Sequence, residues 1–186
     1  PPYLAELARL EFSEFKMRLP TDDEIKKANE LTAKRGALDA VSLEKLLGEQ
    51  LEEKCQRLLR AQYAYLRAIR EGHTGWASAA GYNVGRMYED LHEEIRSLPA
   101  PADLNAEATA LYQTMVRKKI MILLEKAEKT WATNSEMVTR TGAESEWGVK
   151  TRDALKRVKD KLVEETAATA NLDAGDAAPS DVAGAE

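Results

Sequence analysis

Among its 186 residues the chain has one cysteine, two histidines, two phenylalanines and six prolines. A single thiol, Cys55, cannot form an intrachain disulfide and implies no compartment. No apolar run approaches the length that spans a bilayer, so this segment is not expected to insert into a membrane. Basic charge is not in excess: the net charge is −5, which argues against general nucleic-acid binding. Nothing reads as the alternating pattern of a strand ladder. The first residue is proline, so the chain is expected to be processed or cut from something longer, with any signal peptide or lipid anchor outside it.

What remains is helical. Hydrophobic residues make up 44% and charged residues 32%, the balance of a helical protein with a heavily charged surface. In the opening segment Leu4, Ala8, Phe12, Phe15 and Leu19 recur every three or four residues, widened by Tyr3, Leu7 and Leu10, and Pro20 stops the pattern. Thr21 with Glu24 forms a capping box for a short polar helix that Gly36 breaks. Leucines from Leu43 to Leu66 give one face of a helix over about 41–71, with Ser42 as its N-cap. A turn around His73 leads to a helix from about Trp76 to Ser97, ended by two prolines. A stretch from Leu104 to Thr141 lacks glycine and proline and reaches roughly 55 Å as one helix. Gly142 ends it, and a last helix covers about Glu146 to Glu165.

Three regions follow. Residues 1–36 hold the N-terminal helices, 37–165 a helical repeat domain, and 166–186 an alanine-rich tail with four acids and no base. That tail lacks the apolar surface to offset the entropy of ordering and is expected to be disordered. The chain also echoes itself: Trp76 and Trp147, like Leu91 and Leu162, stand 71 residues apart, which suggests two enlarged helix-pair units.

In "AQYAYLRAI" Ala61, Tyr65 and Ala68 follow the small–aromatic–small spacing of the second helix of a tetratricopeptide repeat. "GYNVGRMYEDL", with Val84-Gly85, Tyr88 and Leu91, resembles the first helix of the next repeat. The link between the two is about two residues longer than standard, and the usual proline after the second helix is missing. Further on, Ala127 and Trp131 keep only the alanine-to-aromatic spacing. The resemblance implies an all-α fold of antiparallel helix pairs stacked as a short solenoid with extended helices, with Gly85 against small residues of the neighbouring helix. It also implies a likeness to the C-terminal part of larger bacterial cell-envelope repeat proteins. The implied location is periplasmic or outer-membrane-associated, the alternative being cytoplasmic.

The candidates for chemistry are sparse. His92 stands among Glu89, Asp90, Glu93 and Glu94, which reads better as a solvated acidic face than as a metal site. Cys55 reads as a small hydrophobe. Trp76, Trp131 and Trp147 read as core anchors, and "VRKKI" at 116–120 as a solvated basic face. No nucleophile, base or metal set converges, so neither catalysis nor a cofactor is expected. The resemblance instead implies a partner-binding groove with Tyr82, Asn83, Arg86, Glu89 and Asp90 on its face. The expected function is a non-enzymatic scaffold or adaptor for other proteins or peptides. Its alternatives are a self-associating helical assembly protein and an enzyme without a recognisable motif. The chain's own first or last helix is the competing occupant of that groove.

Overall fold

The computed structural model describes residues 2–36, 40–72 and 74–176. They form six helices and no strand: α1 (Pro2–Glu14), α2 (Asp22–Lys34), α3 (Leu43–Arg70), α4 (Thr74–Arg96), α5 (Ala106–Thr141) and α6 (Glu146–Asp176). Local signals explain most of the boundaries. Thr21 and Glu24 close a reciprocal capping box at α2, and Ser42 and Asn105 cap α3 and α5 through bonds to the Lys45 and Ala108 amides. Gly36, Gly72 and Gly142 take positive φ where helices end, a conformation that suits glycine. His73 lies outside the described residues.

Two helix ends depart from the expectation. α1 stops at Glu14, ahead of Pro20. The reason is a side chain from α3: buried Lys54 donates to the carbonyls of Phe12 (2.7 Å) and Phe15 (2.5 Å), taking over acceptors at the helix end. α6, expected to end near Glu165, continues through residues 166–176. Glu165 and Thr169 are buried there, and alanine is the best helix former, so this part of the expected tail has an anchored face. Residues 177–186 lie outside the described residues.

Helix directions follow from paired contacts. Asn83 meets Tyr65 and Tyr88 meets Gln62, so α4 runs antiparallel to α3. Trp131 meets Tyr82 and Asn134 meets Ser78, so α5 runs antiparallel to α4. Arg117 meets Glu165 and Asn134 meets Thr151, so α6 runs antiparallel to α5. Glu6 meets Asn83 and Met17 meets Glu94, so α1 runs parallel to α4 on one side. Tyr82 meets Trp147 and Glu89 meets Arg157, so α6 runs parallel to α4 on the other.

One core joins five helices. Phe12 of α1, Leu58 and Tyr65 of α3, Met87 and Leu91 of α4, Leu124 and Trp131 of α5, and Val158 of α6 belong to the same buried cluster. The N-terminal helix α1 thus shares one core with α3, α4, α5 and α6. α2 buries nothing and is tied to the rest by Asn29, which exchanges two hydrogen bonds with the Val41 backbone. On α1 the buried residues are Ala5 and Phe12, whereas Tyr3, Leu4, Leu7 and Leu10 are exposed.

Gly85 is a point of close approach, but its neighbour is not a small residue of α3. A β-carbon there would stand 2.5 Å from Cε2 of Trp131, which is fully buried. Gly85→Leu should therefore lower the urea midpoint by the equivalent of about 1–3 kcal/mol through overpacking; a midpoint equal to the parent's would show that α5 can move away freely.

Candidate functional site

The five residues expected on the groove all lie on α4, and the structure divides them among three surroundings. Tyr82 faces α5 and α6. Its ring centroid lies 6.3 Å from that of Trp131 and 5.6 Å from that of Trp147, and its carbonyl accepts the Trp131 indole N–H at 3.0 Å. Asn83 faces α1 and α3, where its amide donates to Glu6 and to the Tyr65 hydroxyl, both at 3.2 Å. Arg86 and Asp90 lie between these flanks, pair with each other at 3.0 Å, and keep 42% and 38% of their side-chain surface.

Glu89 does not present itself to a groove. Its side chain has 0% exposure and is held by its own chain. Arg157 grips it with two bonds (3.1 and 2.9 Å), Lys161 adds one at 2.8 Å, and Arg86 another at 3.0 Å. The physical reason is helix geometry: 89 lies two turns beyond 82 on the stripe that α6 covers. Burial by itself raises this carboxyl's pKa, but the hydrogen bonds and charges of Arg157 and Lys161 prevail and hold it at about 2. A second clamp repeats the device: buried Glu165 accepts from Arg117 (2.8 Å) and forms an ion pair with Arg96 (3.1 Å). Arg117 of "VRKKI" thus has a structural partner.

His92 is a further correction. It is buried rather than on a solvated face, and neither ring nitrogen has a hydrogen-bond partner. Burial lowers its pKa, so the imidazole is neutral. Among the described residues no group of three His, Cys, Asp or Glu side chains is placed to hold a metal ion. Cys55 is half-buried, and burial raises its thiol pKa. No helix among the described residues is long and apolar enough to cross a membrane.

An open cavity lies beside Asn83. It has a volume of about 320 Å³ and is lined by Trp76, Ala79, Ala80 and Asn83 of α4, Tyr65 and Ala68 of α3, Glu6 and Arg9 of α1, and Trp147 of α6. Trp76 is 52% exposed, so it is no core anchor, and Trp147 is half-buried. At the polar end, Glu6 accepts from Tyr65 (2.5 Å) and from Arg9 Nε (2.9 Å). The Asn83 Oδ1 atom has no hydrogen-bond partner among the described residues. The cavity therefore offers two indoles, an alanine floor, the Arg9 guanidinium and one acceptor. Sequence reasoning found Asn83 but missed Glu6, Arg9 and both tryptophans; the signal was the Glu6–Arg9 spacing on a helix whose buried face was misread.

Comparison with protein-family models, with curated proteins and with solved structures finds no match for this chain.

Glu89 generates a pH prediction. Its folded pKa lies below the ordinary 4.5, so its stabilising contribution is complete above that value and is lost as pH falls toward about 2. The melting temperature should drop as pH is lowered from 5 to 2. Glu89→Gln should lower stability at pH 7 by about 1–3 kcal/mol and make the acid drop shallower. Thermal melts by circular dichroism at a series of pH values check this, and parallel curves for the two proteins would refute it.

Proposed function

We propose that this protein is a non-enzymatic adaptor that holds partner polypeptides, built on a tetratricopeptide-like stack of helix pairs. The parallel set α1, α4 and α6, with α3 and α5 running antiparallel between them, supports that reading, because stacked helix hairpins alternate in this way. A place at the end of a larger envelope-associated assembly belongs to the proposal and rests on the sequence resemblance.

The observation that carries the binding role is the cavity lined by the exposed Trp76 and the half-buried Trp147. Large aromatic side chains left accessible beside a concave apolar floor are what binding hot spots use. An extended partner segment places an apolar side chain between the indoles. Its backbone meets the Asn83 Oδ1 acceptor beside the Arg9 guanidinium, and Arg86 with Asp90 offers charges further along α4. α1 takes up Asn83 in part and α6 buries Glu89 fully, so the accessible groove is the strip and pocket between them.

The test separates packing from recognition. The variant Trp76→Ala should melt within about 1 kcal/mol of the parent, because that side chain is half exposed. Affinity capture from the protein's own cells, followed by titration of the captured partner, should show at least about a tenfold weaker dissociation constant, since a truncated hot spot costs 1–2 kcal/mol or more. A stable variant that captures every partner at full strength would remove this pocket as the interaction site.

A further inference from the structure

His92 lies at the corner where α4, α5 and α6 meet. Helical spacing sets it on the stripe of Gly81 and Gly85, which Asn134 and Trp131 of α5 cover. One turn to either side of it, Glu89 and Arg96 pair with residues of α6. The ring is 1% exposed, and neither nitrogen has a hydrogen-bond partner among the described residues. Buried polar atoms nearly always have one, and an apolar side chain would fill this space without leaving them bare.

The charges around the corner leave no place for another cation. Lys161 and Glu165 of α6 act on the ring, as do Glu93 and Arg96 of α4. α5 brings Arg117 through its pair with Glu165, and its antiparallel register sets the uncharged, buried Ile120 and Leu124 at this level. Each carboxylate here already has its cation: Glu165 has Arg96 and Arg117, Glu89 has Arg86, Arg157 and Lys161, and Glu93 has Lys161. Burial lowers the pKa of His92, Glu165 opposes that shift, and Arg96 and Lys161 reinforce it.

We propose that His92 is an acid-sensitive lock on the α5–α6 hairpin: the neutral ring lets the hairpin close on α4, and a proton on the ring loosens that contact. An opened ring takes its proton near the ordinary 6.5, whereas the closed ring resists it. The grip is therefore complete above 6.5 and is lost as pH falls below that value. Glu89 and Glu165 are held below 4.5, so both stay charged while the lock releases. The device does not depend on what the cavity beside Asn83 binds.

Amide hydrogen exchange on the full chain, corrected for the intrinsic effect of pH on exchange, tests this. Between pH 7 and pH 5, protection in α5 and α6 should fall by about tenfold, the factor that accompanies one unit of differential proton affinity. α1 and α3 should lose less. His92→Leu keeps the bulk and removes the bare nitrogens, so its protection should stay level over the same range, and His73→Gln should lose as much as the parent. The His92 ring signals, followed by NMR in the parent, should titrate with a midpoint below 6.5, a measurement that needs neither variant to fold. A midpoint at or above 6.5 would overturn the proposal. So would a His92→Leu chain that loses protection as the parent does, or a loss spread equally over α1 and α3.

Discussion

The Trp131 indole lies against the bare backbone of Gly85, and its N–H is bonded to the Tyr82 carbonyl. A buried indole needs both an apolar bed and an acceptor, and one turn of α4 supplies both. This contact fixes the distance and rotation of α5 on α4. One turn further along α5, Asn134 fits over Gly81 and donates to the Ser78 carbonyl at 2.9 Å and to Thr151 of α6 at 2.8 Å. Ser78, Gly81 and Gly85 are therefore a strip of small residues that lets two large side chains in. α6 is aligned by the same Asn134, and Tyr82 completes the corner between Trp131 and Trp147.

The seams on either side of α4 use different chemistry. Toward α5 the contact is close-packed and nearly free of charge. Toward α6 it is ionic, with Glu89 and Glu165 buried and their cations at the rim. Arg157, at 43% side-chain exposure, keeps contact with water while it grips Glu89, which limits the desolvation penalty of the pair. Toward α1 the contact is again polar: Glu6 accepts from Asn83, and Lys54 of α3, bonded to Glu94 at 2.9 Å, bridges to the Phe12 carbonyl. α4 thus meets both parallel neighbours through specific polar pairs. That leaves Arg86 and Asp90 as the accessible polar part of its groove face.

Helix number, caps and glycine stops were legible because they depend on neighbours in sequence. Thr21–Glu24, Ser42 and Gly142 each act within one turn of their own position. The misread features all depend on residues far away. The end of α1 is set by Lys54 and the burial of Glu89 by Arg157 and Lys161. Periodicity also failed on α1, where the apolar stripe of Leu4, Leu7 and Leu10 points outward and smaller Ala5 with Phe12 points in. Periodicity marks where apolar residues gather and says nothing of which face a neighbouring helix will take. Of the candidate site, Asn83, Arg86 and Asp90 were read as accessible polar groups on one helix. The cavity itself is assembled by α1, α3 and α6, whose approach no local pattern encodes.

The Lys54 latch has a consequence for the order of assembly. It joins Phe12 to a residue 42 positions away, whereas Asn134 and Thr151 are 17 apart. Closing the longer loop carries the larger entropic cost, and contacts of high sequence separation form late. The α5–α6 hairpin can zip up early from its Gly142 turn, and α4 gains its ionic grip only when that hairpin is in place. The end of α1 is completed by a carbonyl-binding ammonium that α3 supplies and Glu94 of α4 holds. The cavity that α1 helps to wall therefore closes only once α1, α3 and α4 have met.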